Sequence, residues 1–474
     1  MKSYAIAAAV AAAAISSAGS SALAADLPAR TYTKAPPLVV QAYNWTGFYV
    51  GVNAGVGFGR SKTDVAIGGI ADPSSRVGGL GGVGGGQIGY NWQYGSLLGF
   101  NNVVVGLEAD IQGAGLDDNR TCAFICGNGT GININQKLDW FGTARGRIGV
   151  ATGPVLSYFT GGFAYGNVKT RISDLTGAIN DNYSSTRTGW TIGSGVEAAL
   201  GGNWTGKVEY LYVDLGTQRG VNLVVPYAYN SQVREHIFRA GLNYRLGGVP
   251  YAAAPVANWS GWYVGGNGGS ATALNKSGLQ GLGGAVNEKF NLSPDGYFGG
   301  VQAGYNWQAG SVVYGLETDI QGGSLKDDYA CQLSCTPGNS VLVTFNQKMQ
   351  WFGTVRGRVG YSVGATLFYA TGGFAYGGVK TDLQVAGFNG APLAQSFSKT
   401  RTGYAVGGGI ESPFNLFGLF GNNWTSKTEY LFVDLGKSTD AIAGTPLTFT
   451  TRAQEHMLRT GLNYHFNTPV VAKY

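Results

Sequence analysis

From Trp140 to Gly149 the side chains alternate. Phe141, Thr143, Arg145 and Arg147 share one face, and Trp140, Gly142, Ala144, Gly146 and Ile148 share the other. A period of two is the signature of a β-strand. One face carries two guanidinium groups, and the other is small or apolar. The stretch returns in the second half as Trp351–Gly360, with Arg356 and Arg358 in the same places. The pattern recurs in strand after strand, and no helical segment is available to cover the apolar faces. Lipid is therefore the apolar partner that the alternation predicts.

The first strand opens at Asn44 to Gly51, with Phe48, Val50, Val52, Ala54, Val56 and Phe58 on one side and Tyr49 and Asn53 on the other. Seven more are expected near 83–93, 103–114, 136–150, 155–169, 187–200, 204–215 and 234–246. The connections alternate between long loops (59–82, 115–135, 170–186 and 216–233) and shorter turns (94–102, 151–154 and 201–203). Long loops at one end and short turns at the other are how transmembrane barrels are built, with the turns in the periplasm.

The programme then repeats. Asn44–Gly51 returns as Asn258–Gly265, Gly106–Gly113 as Gly315–Gly322, and Arg239–Tyr244 as Arg459–Tyr464. Order is kept across more than 200 residues, which marks a duplicated domain and not a solenoid. The expected fold is all-β, a transmembrane antiparallel up-and-down barrel present as two tandem eight-stranded copies, 44–247 and 258–467. One sixteen-stranded barrel is the alternative, because the edge strands could pair either way. The linker 248–257 holds Pro250 and Pro255, which favours a tether between two domains.

Composition narrows the classes. Of 474 residues 80 are glycine, 44% are hydrophobic, 12% aromatic and only 12% charged. Disorder is excluded by the apolar content. The formal charge is +6 and the 32 Lys and Arg form no basic arm, so nucleic acid is not an expected partner. Lys2, the apolar run Ala5 to Ile15 and the Ala22-Leu23-Ala24 site read as a signal peptide over 1–24. Residues 25–43 follow as a proline-containing periplasmic tether.

Each half resembles the small outer-membrane-protein family of alphaproteobacteria, porin-like surface antigens with one eight-stranded barrel. Ala25-Asp26-Leu27-Pro28, Asn44 to Tyr49, Trp140 to Arg147 and Gly241-Leu242-Asn243-Tyr244 carry the resemblance. It implies residence in the outer membrane, contact with its lipid and insertion by the β-barrel assembly machinery. Two features depart from the family pattern. The domain is doubled, and Phe466, placed as the terminal aromatic, is followed by a tail over 468–474.

Charges on the non-lipid face form the first candidate set: Glu108, Asp110, Lys137, Asp139, Arg145, Arg147, Arg187, Glu197, Lys207, Glu209, Glu235, Arg239 and Arg245. The second half repeats it with Glu317, Asp319, Arg356, Arg358, Glu411, Lys427, Glu429 and Arg459, while Gln350 replaces Asp139 and His465 replaces Arg245. Near-balance of sign predicts a paired interior, since an isolated buried charge is prohibitively costly. A charge-lined selectivity surface is the functional alternative. Trp45, Trp92, Trp140, Trp190, Trp204, Trp259, Trp262, Trp307, Trp351 and Trp424 sit near strand ends and are expected in interfacial aromatic belts.

Cys122 with Cys126, and Cys331 with Cys335, are spaced for local disulfides in an oxidising compartment. Asp214 with His236, and Asp434 with His456, would be the pairs of a rim hydrolase, a remote reading without a nucleophile fixed beside them. The glycine run 78–86 lacks the Lys-Ser/Thr of a phosphate loop. No metal, cofactor or catalytic residue is expected, and the chain reads as a non-enzyme. The favoured role is structural and surface-exposed, with at most weak pore activity and long loops available to extracellular ligands; a general diffusion porin is the alternative.

Overall fold

A computed structural model of the chain describes residues 43–466, except 60, 68–69, 72–74, 78, 98–99, 123–131, 175–178, 223–226, 248–249, 251–255, 274, 282, 284–285, 293, 333–341, 387–392, 415–420 and 422. The expected signal peptide, nearly all of the tether, most of the linker and the tail lie outside the described residues.

The first half contributes β1 (Gly47–Gly59), β2 (Leu80–Leu97), β3 (Phe100–Cys122), β4 (Ile132–Thr152), β5 (Val155–Asp174), β6 (Asn180–Gly201), β7 (Trp204–Asn222) and β8 (Tyr227–Leu246). The second contributes β9 (Gly261–Thr272), β10 (Asp295–Ala309), β11 (Val312–Gln332), β12 (Leu342–Val363), β13 (Thr366–Ala386), β14 (Leu393–Pro413), β15 (Trp424–Ala441) and β16 (Leu447–His465). Successive strands pair antiparallel. β1 then pairs β8, with Tyr49 opposite Arg245, and β9 pairs β16, with Tyr263 opposite His465. Two separate rings result, each closed on itself. The single sixteen-stranded barrel would need β8 against β9 and is not what the chain forms.

Alternation assigns the two faces. Val52 (63% exposed), Leu107 (60%) and Phe159 (71%) point outward, whereas Arg145 (3%) points in. A continuous apolar wall of this kind is a liability in water and a requirement in a bilayer. Among the described residues no helix is long and apolar enough to cross a membrane; the strands cross instead.

The strands outrun their expected ends on the long-loop side. β3 and β4 stay paired as far as Cys122 opposite Ile132, inside what reads as a loop. The region 59–82 is also partly strand: Ser61–Ile67 pairs with β8 from Tyr227 to Gln232. β8 is longer than β1, so its upper edge needs another partner. In the second ring Asn275–Gly281 plays that part against Leu447–Thr450.

Candidate functional site

The interior of each ring is the candidate site, and it is layered. At the short-turn end of the first ring lies a plug of Tyr43, Trp45, Val104, Leu156 and Tyr158. Trp45 is 1% exposed and Trp259 is fully buried, so neither belongs to an interfacial belt. The backbone explains the correction. Gly47 and Gly261 have φ of +137° and +124°, and these bends turn the preceding residues into the barrel mouth. The Trp45 indole donates to the Gly153 carbonyl (3.3 Å), and its amide donates to Gln93 Oε1 (2.7 Å). The Trp259 indole donates to Ser362 Oγ (2.9 Å) in the same way. Trp92, Trp190, Trp204, Trp262 and Trp307 do face outward, and Trp140, Trp351 and Trp424 are half-buried on the outer wall.

Above the plug sits a charged belt. Arg145 is its centre. Its guanidinium meets Glu108, Asp110 at 2.9 Å and Glu209 at 3.1 Å. Arg239 joins Asp110 (2.8 Å) and Glu209, and Lys207 joins Glu108 (2.9 Å). Arg147 pairs with Glu197 at 2.9 Å. Tyr49 and Tyr158, not singled out from sequence, donate their hydroxyls to Glu108 (2.7 Å) and Glu209 (2.9 Å). Gly89 makes the first contact possible, because a Cβ there would lie 2.2 Å from the Tyr49 hydroxyl. The alternating parity of Tyr49 with Asn53 is the signal that could have found it.

The second ring repeats the belt. Arg356 contacts Glu317, Asp319 (3.0 Å) and Glu429 (2.7 Å). Lys427 contacts Glu317 (2.8 Å), Arg459 contacts Asp319 (3.0 Å) and Glu429 (2.7 Å), and Arg358 contacts Glu411 (2.8 Å). The rings differ at the position of Arg245 and His465. Arg245 reaches the Asn44 carbonyl and stacks on Tyr43, whereas His465 lies 3.2 Å from Glu411.

A third layer, apolar, lies beyond the belt. Leu116, Leu138, Phe141, Leu211, Val213 and Ile237 fill the first ring at this level. Phe298, Leu325, Met349, Phe352, Leu431 and Met457 fill the second. Leu211 and Val213 share the parity of Lys207 and Glu209, so this layer was readable but unread.

Lys137 and Asp139 do not join the belt. A register shift between Leu138 and Trp140 reverses the alternation, so Leu138 turns inward and Lys137 and Asp139 pair with each other at 3.0 Å on the surface. Arg187 reaches the Thr217 carbonyl above the belt.

The rim-hydrolase pairs dissolve. Asp214 accepts from Gly216 N (2.8 Å) and from Arg234 (3.1 Å), which fixes a bulge in β7. His236 faces outward, with Nδ1 2.9 Å from the Tyr210 hydroxyl. Asp434 likewise holds Gly436, Arg452 and Gln454, and His456 meets Tyr430 at 2.7 Å. Cys126, Cys335 and the side chains of Cys122 and Cys331 lie outside the described residues. Among the described residues no cluster of three or more His, Cys, Asp or Glu could hold a metal.

Comparison with known proteins follows the same division. The family model for "Outer membrane protein beta-barrel domain" matches residues 8–245 and again 246–466. The 31 kDa outer-membrane immunogenic protein of Brucella melitensis is 37% identical over 235 residues, 48% of this chain and 94% of that protein. The 22 kDa outer membrane protein of Rhizobium leguminosarum is 30% identical over 213 residues, 45% of this chain and 80% of that one. Among solved structures, Ail of Yersinia pestis matches 43% of this chain and 99% of its own at 13% identity, TM-score 0.22.

Proposed function

We propose, from the premise that this chain belongs to the outer membrane protein beta-barrel domain family in both of its halves, that it serves the outer membrane as a pair of filled barrels presenting their outer hairpins at the surface, and not as a diffusion pore. One observation carries the reading: plug, charged belt and apolar layer succeed one another along each interior. An eight-stranded ring has a lumen just wide enough for side chains, and here side chains occupy it. A solute would have to displace paired charges from a dry interior, and then cross an apolar layer.

The outward faces take lipid as their partner. Insertion falls to the β-barrel assembly machinery, and residues 1–24 supply the export signal. A Brucella relative is named an outer-membrane immunogenic protein, and the outer hairpins are the part of this chain that the reading offers to extracellular ligands. No catalytic role is proposed.

Single-channel recording on purified full-length protein in a planar bilayer tests the reading. The expected trace is quiet, with at most brief, small events. Stable large openings would overturn it.

A further inference from the structure

The two barrels touch, and the contacts leave a space. Towards the outer side, the outward-facing ring of Phe58 on β1 stacks on His456 of β16, centroids 4.8 Å apart and planes at 26°. Phe238 of β8 meets Tyr430 of β15 at 4.9 Å. Near the short-turn end the barrels meet again, where a Cβ on Gly206 would lie 3.3 Å from the Phe368 ring. Between these contacts lies a cleft of about 670 Å³ lined by Ile148, Phe159 and Tyr210 of the first barrel and Phe414, Leu458 and Thr460 of the second.

Its chemistry specifies its contents. The cleft lies between outward-facing walls at the depth of the hydrocarbon, and Glu209, the one charged residue of its lining, turns its carboxylate to Arg145 and Arg239 of the first barrel's belt. Its two threonines are satisfied by one another, Thr428 Oγ1 lying 3.3 Å from Thr460 Oγ1, and its serines are Ser157, Ser194 and Ser426, so a mostly apolar wall offers little to water. Void of this size is not tolerated in packed matter, and the solvent at this depth is lipid. The volume falls within the roughly 300–1,000 Å³ typical of small-molecule sites. The lining lies on the short-turn side, at strand ends such as Val103, Val150 and Ser157, which outer-membrane barrels turn to the periplasm.

We propose that this cleft binds a phospholipid of the periplasm-facing leaflet, holding an acyl chain between the two barrels as a fixed part of the assembly. The headgroup then lies at the level of Trp204 and Trp424, and the aromatic contacts above stop the chain from crossing to the other leaflet. The site exists only because two barrels share one chain, so it is independent of whether either lumen conducts.

Native mass spectrometry of the full chain, released from mild detergent, provides the test. Wild type is expected to retain phospholipid, and the cleft-filling variant Ser426→Trp/Thr460→Trp to lose at least nine-tenths of it. Val301→Trp, on a wall away from the cleft, is expected to keep it. Equal retention by all three, or none by wild type, overturns the proposal. Retention of lipid A instead overturns the leaflet assignment and the proposal with it. Should the double variant fail to fold, wild type reconstituted in phosphatidylethanolamine vesicles carrying a trace of acyl-diazirine phospholipid decides. Crosslinks concentrated in 148–159 and 458–460 support the site, and crosslinks spread evenly around both walls overturn it.

Discussion

Arg145 bonds to three carboxylates of the first belt, Glu108, Asp110 and Glu209, while fully buried. Such a cluster does little for net stability when compared with a well-packed apolar core, because desolvation consumes most of the attraction. Removing one member is another matter, since its partners stay buried and charged. Arg145→Ala is therefore expected to cost about 3–5 kcal/mol, read as a lowered urea midpoint in detergent micelles. Arg356→Ala should do the same to the second ring alone, and a change below about 0.5 kcal/mol in either would mean the carboxylates are not dry. Trp45→Ala, which empties part of the plug, should cost roughly 3–5 kcal/mol without raising conductance, because the belt and the apolar layer still block the path. A clear gain in conductance would show that the plug, and not the belt, seals the ring. Both belt arginines were legible from the strand alternation around Trp140. The two plug tryptophans were not. Parity starts only at the first strand residue, and a bend at Gly47 or Gly261 precedes it.

Several strands are two devices in series, a membrane span and an outer extension, joined by a bulge. In β3 the register shifts between Gly113 and Leu116, and in β4 between Leu138 and Trp140; β11 and β12 repeat both shifts. A bulge resets which side chains face inward, so the span can hold charges inside while the extension holds Leu116 and Leu138. A single parity carried straight through from Trp140 predicts Lys137 and Asp139 inward, and the bulge turns them out. Polar extensions such as Asp117 to Cys122 look like loops until their pairing is seen, so the strands run past their expected ends. Deleting Asp139 should remove the extra residue and leave one uninterrupted alternation, with Trp140 outward, Leu138 still inward and Lys137 still outward. The expected result is unchanged proteinase K cleavage of the outer hairpins on whole cells, with the heat-modifiable span retained. Faster cleavage would mean that the bulge itself, and not the facing of Leu138, holds the extension.

At the scale of the chain, sixteen strands could have made one ring or two, and pairing chemistry alone did not choose. What was legible was the duplication, with its prolines at 250 and 255, because a tether of that kind does not make a barrel hairpin. What was not legible was any contact between rings: Phe58, Phe238, Tyr430 and His456 look like ordinary lipid-facing residues until the second barrel is set beside the first. The two-ring topology makes a prediction that a single ring does not share. A protease site inserted between Gly248 and Val249 cuts no strand of either ring, since β8 ends at Leu246 and β9 begins at Gly261. After cleavage, each half keeps every one of its ladder partners, including the closing pair of β1 with β8 and of β9 with β16. Unheated electrophoresis in dodecyl sulfate should then resolve two fast-migrating folded bands, each shifting to slower migration on boiling. In a sixteen-stranded ring both halves would share one sheet, and the unheated sample would run as one folded species of full size. Because the barrels meet through ring contacts such as Phe58–His456 and Phe238–Tyr430 and share no β-ladder among the described residues, dodecyl sulfate should part the barrels without unfolding either.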